Sequence, residues 1–290
     1  MTGLRDLAEL VRAPAALSVP GDAVAGAAAA GGLGARTVGL SASAVCLYWS
    51  GMAANDWADR ELDAKERPER PIPSGRVPAA AALGVAAGLS AAGLTLAWLT
   101  GGPRALAVAV PLTAAVWAYD LKLKGTPAGP AAMAACRGLD VLLGATTRPG
   151  RWRPAVLPAL TIAAHTYTVT ALSRREVTGG GRLLPAATLA GTAGIALAAA
   201  ELPAAPAQPQ RTWPARGLAG WYAAGYGAPQ ARAVATPDAG HVRAAVGAGI
   251  TGLPALQGSL IARSAGPLPA ALVAVCAPLG RALARKVSPT

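Results

Sequence analysis

The chain has 290 residues, of which 53% are hydrophobic and only 14% charged, and its formal net charge is +12. A small soluble core does not need apolar runs repeated along nearly its whole length, so this composition points to a polytopic membrane protein. The Lys and Arg residues sit mostly in the connections between apolar runs, which excludes a nucleic-acid surface and favours anionic lipid heads or a diphosphate as partner. Cys46, Cys136 and Cys276 lie far apart in apolar sequence, which leaves neither a disulfide framework nor a metal spacing.

With about 20 apolar residues needed per crossing, spans are expected over 13–33, 37–54, 79–100, 104–119, 130–148, 154–173, 183–201, 241–262 and 267–284. The fold expected is therefore an all-α polytopic membrane protein with about nine transmembrane helices in a single domain over 1–290. Arg5 and Arg12 precede the first run, but Pro20, Gly21 and Asp22 interrupt it and many apolar segments follow, so it is read as a first span and not a cleaved leader. With the N-terminus inside, connections 55–78, 120–129, 174–182 and 263–266 face the cytoplasm of a cell membrane. Residues 202–240 mix Pro203, Pro206 and Pro209 with Trp213, Trp221, Tyr222, Tyr226 and several Arg, and are expected as a long non-cytoplasmic loop or a surface-lying helix. The Lys and Arg count is nearly even on the two sides, so the orientation rests on local clustering around the acidic connections.

The chemistry concentrates between residues 55 and 77, where six of the 14 acids (Asp56, Asp59, Glu61, Asp63, Glu66 and Glu69) follow directly on an apolar run. Acids are expensive at membrane depth, so such a cluster is by default a functional site. If the second span continues as a helix past Asn55, then Asp56, Asp59 and Asp63 share one face, with Asn55 one turn from Asp59. Three carboxylates and an amide make a hard-oxygen set suited to Mg²⁺ beside phosphate oxygens. The competing reading is a solvated helix end with pairs such as Glu61 and Lys65.

The acids are followed by Arg67, Arg70 and Arg76 on a backbone stiffened by Pro68, Pro71 and Pro73. Guanidinium forks match phosphate oxygens, although turn prolines and topology-setting cations look the same. Two further connections place charge on that side. Tyr119-Asp120-Leu121-Lys122-Leu123-Lys124 offers two ammonium groups to a diphosphate, and Ser173-Arg174-Arg175-Glu176, followed by Gly179, Gly180 and Gly181, offers Arg174 and one acid, Glu176, for a second metal. Topology anchoring explains the lysines equally well and is the plainer explanation of Arg175. Within the spans, Asp22, Asp140 and Gln257 are candidate cavity groups or structural hydrogen bonders, and His165 with Tyr167 reads first as packing.

Asn55-Asp56-x-x-Asp59-x-x-x-Asp63, the following Arg70-Pro71-x-Pro73-Ser74-Gly75, the Tyr119-x-Leu121-Lys122 run and Arg137-Gly138 together resemble the UbiA family of intramembrane aromatic prenyltransferases. The resemblance implies nine helices around a lipid-open cavity and two Asp-rich motifs that bind Mg²⁺ and the diphosphate of a polyprenyl donor. It also implies transfer of the prenyl group to a small-molecule acceptor, which nothing in the sequence identifies. Asn55, Asp56, Asp59 and Asp63 then form the catalytic motif, with Asp56, Asp59, Asp63 and Glu176 as metal ligands and Arg70, Lys122, Lys124 and Arg174 as diphosphate ligands. The second motif keeps Glu176 where the family has several aspartates, which is similar to the divergent EboC-like branch and opens the alternative of a protein that binds or moves a lipid or small molecule without chemistry. A membrane phosphotransferase also uses clustered aspartates, but no Asp-Gly-x-x-Ala-Arg run precedes these acids.

Overall fold

The computed structural model describes residues 3–201, 209–279 and 282. The described residues contain helices and no strand. A short α1 (Leu4–Leu10) and a 3₁₀ turn (Ala13–Ser18) lead into α2 (Val19–Ala30), α3 (Ala35–Ala58) and the seven-residue α4 (Arg60–Glu66). Then come α5 (Ala79–Ala118), a π-helical turn (Tyr119–Leu123), α6 (Gly129–Ala145), a 3₁₀ turn (Arg153–Ala155) and α7 (Val156–Ser173). The chain closes with α8 (Leu183–Glu201), α9 (Pro209–Ala235), α10 (Ala239–Ala265) and α11 (Pro267–Ala274).

Four described stretches are long and apolar enough on their own to cross a membrane: Ala79–Leu123, Arg153–Ser173, Leu183–Glu201 and Ala239–Ala265. The first is two spans. Gly102 sits at φ 65°, a left-handed conformation open to glycine, and Pro103 starts the next helix, so α5 bends where the sequence predicts a break between 100 and 104. Helix α3, at 24 residues, also has crossing length. Its polar Ser43, Ser50 and Asp56 are buried inside the bundle, where Ser43 donates to the Gly93 carbonyl at 2.7 Å and Ser50 to the Ala86 carbonyl at 2.8 Å.

The stretch expected over 202–240 as a long loop or a surface-lying helix is, from Pro209 to Ala235, a 27-residue helix, α9, which replaces the loop and packs between α8 and α10 instead of lying apart on a surface. Its Arg, Pro and Gly residues dilute the hydropathy that marks a span. Tyr222 and Tyr226, read as interfacial aromatics, instead lie one turn apart on the buried face. Pro203 and Pro206 fall outside the described residues. The two ends of α9 lie at opposite faces of the bundle. Arg211 donates to the Ser264 carbonyl at 2.9 Å, whereas beyond the far end the Gly180 amide donates to the Pro237 carbonyl at 3.0 Å. The 236–238 connection therefore shares a face with the 174–182 connection, and 263–266 lies at the other face, the reverse of the expected arrangement for both.

Helices α2 and α6 approach backbone to backbone through two glycines. A Cβ on Gly26 would fall 1.8 Å from the Val141 carbonyl oxygen, and one on Gly144 would fall 1.9 Å from that of Ala23. Small residues let helices meet this closely in lipid, and no side-chain rotation relieves a clash with backbone. Gly144→Ala is expected to force α2 off α6 at a cost of about 1–3 kcal/mol, read as a lower midpoint of thermal unfolding in detergent; an unchanged midpoint would contradict this packing.

Candidate active site

The acidic island forms one end of the bundle. Helix α3 runs on through Asn55 and Asp56 to Ala58, steps at Asp59 (φ −88°, ψ 1°), and restarts as α4, which carries Asp63. The predicted single face is therefore preserved with a step in it. The step separates the acids by burial: Asp56 and Asp63 are 4% and 2% exposed, while the Asp59 side chain is 25% exposed.

Each acid is met by cations from another element. Arg70, on the proline-stiffened loop, donates from Nη1 to Asp63 Oδ2 at 2.6 Å and to Asp56 Oδ1 at 3.3 Å. Arg67 Nη1 lies 3.7 Å from the other Asp63 oxygen. Lys124, just past the π turn, reaches Asp59 Oδ1 at 2.6 Å and Asn55 Oδ1 at 3.1 Å. The loop holding Arg70 is fixed by its own hydrogen bonds, among them the Val77 amide to the Pro71 carbonyl at 2.9 Å and the Ser74 hydroxyl to the Arg70 carbonyl at 2.6 Å.

Two participants were not singled out from the sequence. Arg12 donates from Nη2 to Asp56 Oδ1 at 2.9 Å, and among the described residues it is the one non-glycine residue at positive φ (48°). That conformation costs about 1–3 kcal/mol and persists only where neighbours enforce it. The neighbour here is α1, anchored by Arg76, which donates to Asp6 Oδ1 at 2.8 Å, to both Glu9 oxygens at 2.7 and 2.9 Å, and to the Glu69 carbonyl at 2.7 Å. The Gly3 amide and then Arg76 hold the Asp6 carboxyl below its usual range, and Arg76 does the same for Glu9. The other is Asp120, buried on the π turn and close enough to Lys124, Asp59, Arg12 and Asp56 to feel their charge. A π turn inside helical structure frequently marks a functional position. Gly51 makes room for the end of α5 and this turn: a Cβ there would fall 2.7 Å from Val116 Cγ1 and 3.3 Å from Asp120 Oδ2.

The second motif joins only in part. The Arg174 guanidinium donates to the Thr126 carbonyl, which ties the 174–182 connection to the 120–129 connection beside Lys124. Lys122 is exposed and makes no polar contact among the described residues. Glu176 offers its backbone carbonyl to Arg243 at 3.3 Å, and its carboxylate does not meet the acids of the first motif. Among the described residues no three or more His, Cys, Asp or Glu side chains converge as a metal cluster, so Asp56, Asp59, Asp63 and Glu176 are not gathered into one shell. The donor chemistry nonetheless suits Mg²⁺ at Asp56 and Asp59, whose ion pairs engage Oδ1 and leave Oδ2, with Asn55 Oδ1 alongside; both oxygens of Asp63 are taken up by Arg70 and Arg67.

Deeper in the bundle, Asp22 is fully buried. It faces Arg137 Nε at 2.9 Å and accepts from Gln257 Nε2 at 2.6 Å. His165 is likewise buried, with Nδ1 at 2.9 Å from the Tyr222 hydroxyl and its ring edge-on to Tyr226, which supports the packing reading. Between α6, α7 and α8 an apolar groove of about 800 Å³ opens outward, lined by residues such as Ala131, Leu160, Ala164 and Gly194.

Residues 19–179 match the model of the UbiA prenyltransferase family. A digeranylgeranylglyceryl phosphate synthase of Ignicoccus hospitalis is 39% identical over 123 residues, 42% of this chain and 40% of that protein. The bacteriochlorophyll synthase 33 kDa chain of Rhodobacter capsulatus is 41% identical over 70 residues, 24% of this chain and 23% of that protein. In each case the matched stretch spans less than half the length of the curated relative. A solved structure of digeranylgeranylglyceryl phosphate synthase shares the fold, with a TM-score of 0.66 at 17% identity over 91% of this chain and 99% of that one. With more than half of its length matched by the family model, this membrane-embedded helical chain belongs to the UbiA prenyltransferase family.

Proposed function

We propose that this chain transfers a prenyl group from a polyprenyl diphosphate to a small acceptor, at the end of the bundle where α3, α4 and the π turn meet. The observation that carries this reading is the interleaving of Asp56, Asp59 and Asp63 with Arg12, Arg67, Arg70 and Lys124. Such an array holds a polyanion and its counter-charge together, and membership of a prenyltransferase family supports a prenyl group as what is transferred. Asn55, Asp56 and Asp59 would hold Mg²⁺, which when bound neutralises diphosphate oxygens and so eases departure of the diphosphate.

The chain's own residues do the rest. Arg12, Arg70 and Lys124 are already oriented by the acids, so their donors need little reorganisation to follow charge onto the leaving diphosphate. Arg174, tied to the Thr126 carbonyl, adds a fourth cation from the facing connection. Asp63 is a positioning residue that fixes Arg70. The apolar bundle below keeps water from the allylic cation until the acceptor traps it. The active-site connections are assigned to the cytoplasmic side of the cell membrane, following the clustered basic residues beside the acids.

The test is purified protein in lipid nanodiscs with labelled polyprenyl diphosphates of several lengths, following release of diphosphate. Release that requires Mg²⁺ and stops in excess chelator is the expected outcome, and undiminished release in chelator would remove the metal role. A second reading, binding without transfer, is favoured by the separation of Glu176 from the first motif; saturable donor binding with no diphosphate release at any length would establish it instead.

A further inference from the structure

The face of the bundle opposite the acidic island carries its charge almost wholly as arginine. Helices α3 and α7 and the second half of α5 begin there, and α6 and α8 end there. Among the described residues the one acid at this face is Glu201, whose two oxygens are taken up by Arg216 at 2.9 and 3.1 Å. Arg211 and Arg263, at the same face, donate to the Ser264 and Ala200 carbonyls. That leaves Arg36, Arg104, Arg148, Arg151 and Arg153, all exposed and none meeting an acid among the described residues. They stand around one closely packed corner. A Cβ on Gly39 would fall 2.5 Å from Thr100 Oγ1, and one on Gly32 would fall 2.3 Å from Thr147 Oγ1, so the start of α3, the bend of α5 and the end of α6 meet there.

At this corner a pocket of about 380 Å³ opens between α5 and α6, lined by Arg104, Arg148 and Trp152 and walled by Val108, Leu142 and Ala145. Arg148 is held in place, with Nη1 donating to the Gly31 carbonyl at 2.9 Å, whereas Arg104 makes no hydrogen bond or ion pair among the described residues. Cations that only set topology need neither a shared pocket nor a fixed side chain. Two guanidiniums on one cavity match the oxygens of a phosphate. A hydrated free anion gains nothing from Val108, Leu142 and Ala145, but a lipid uses both halves of such a lining. Trp152, 54% exposed at the rim, has the amphipathic ring that settles at headgroup level.

We propose that this pocket binds one anionic phospholipid, with its phosphate at Arg104 and Arg148 and its glycerol end against Val108 and Leu142. The acyl chains leave along the outer side of α5, where Ala107 and Val110 are exposed. Basic pockets between membrane helices recognise lipid headgroups in this way. The site is separate from the acidic end: the 17 residues of α6 lie between them, about 25 Å at 1.5 Å per residue. A bound lipid would join the bend of α5 to Arg148, and through the Gly31 carbonyl to the corner between α2 and α3, so it would brace the bundle at the end that lacks acids.

The experiment is native mass spectrometry of the full chain in detergent, titrated with dioleoyl phosphatidylglycerol, dioleoyl phosphatidylcholine or glycerol 3-phosphate. One phosphatidylglycerol is expected to be retained saturably and in preference to phosphatidylcholine, and to raise the thermal midpoint, since a ligand of the folded state stabilises it. The double variant Arg104→Gln with Arg148→Gln should bind that lipid roughly tenfold more weakly or worse. Arg36→Gln with Arg153→Gln, which removes the same charge outside the pocket, should keep most of the affinity. Should loss of the Gly31 hydrogen bond lower the lipid-free midpoint of the first double variant, Arg104→Gln alone decides, because it has no contact to lose; a weakening of roughly fivefold is expected of it. Equal retention of the two lipids, equal weakening in the two double variants, an unweakened Arg104→Gln, or saturation by glycerol 3-phosphate at the same concentration as the lipid would each overturn the proposal.

Discussion

Asp59→Ala should reduce Mg²⁺-dependent diphosphate release by roughly 10²–10³-fold, the loss typical when one preorganised electrostatic group is removed from a reacting centre, while leaving the fold intact. Asp59 is the right acid for this test because its environment separates function from folding. Its side chain is the most exposed of the three, it sits at the step between α3 and α4, and its partner Lys124 Nζ keeps Asn55 Oδ1 at 3.1 Å when Asp59 is gone. A partly exposed ion pair of this kind contributes about 0–1 kcal/mol to stability, so the thermal midpoint should hardly move. Asp56 is a poorer probe, since it is buried against Arg12 and Arg70 and its loss leaves Arg12 without its acid and Arg70 with Asp63 alone. An Asp59→Ala protein that releases diphosphate at the wild-type rate would remove Asp59 from the chemistry and, with it, the leading assignment of the metal site.

Much of this architecture is legible in the sequence because lipid imposes a coarse and repetitive constraint. Apolar runs of crossing length mark α5, α7, α8 and α10, and Gly102-Pro103 marks the bend in α5. The shared face of Asp56, Asp59 and Asp63 follows from helical spacing, and Arg70 follows from its place on a proline-stiffened loop. Helix α9 escaped for the same physical reason that it is needed. It packs between α8 and α10 through the face that carries Tyr222 and Tyr226, and its Arg, Gly and Pro residues lower its mean hydropathy, so hydropathy does not register it. Arg12 escaped because an arginine before a first span is ordinarily a topology signal. Only the fold of α1, held by Arg76 to Asp6 and Glu9, turns it back over Asp56. Asp22 and Asp140 were visible as anomalous acids within spans, but their unequal treatment was not: Arg137 and Gln257 are 115 and 235 residues from Asp22 in sequence, and only packing brings both into contact with that acid, while Asp140 Oδ1 has no hydrogen-bond partner among the described residues.

Arg70→Ala should damage stability and activity together, and the two effects can be pulled apart. Arg70 is the residue that joins the buried acids, with one guanidinium nitrogen serving both Asp63 and Asp56. Removing it leaves Asp63 with only the 3.7 Å contact to Arg67, while Asp56 keeps Arg12 at 2.9 Å. Breaking a buried pair by deleting one partner costs about 3–5 kcal/mol, and the residual Arg67 contact argues for the lower end of that range. Arg70→Lys should recover part of the stability, because one ammonium nitrogen can stand in for Nη1 at Asp63, but not the remaining guanidinium donors that would meet a diphosphate. The decisive variant is the double substitution Arg70→Ala with Asp63→Ala. Deleting both partners removes the uncompensated buried charge, so the double variant should be more stable than Arg70→Ala alone, a coupling measurable in a double-mutant cycle. If Arg70 also binds the donor, the same double variant must stay weak in donor binding, with a raised KM for the polyprenyl diphosphate, despite its regained stability. Recovery of stability and KM together would make Arg70 a structural clamp alone, and would leave Arg12, Lys124 and Arg174 as the cations that meet the diphosphate.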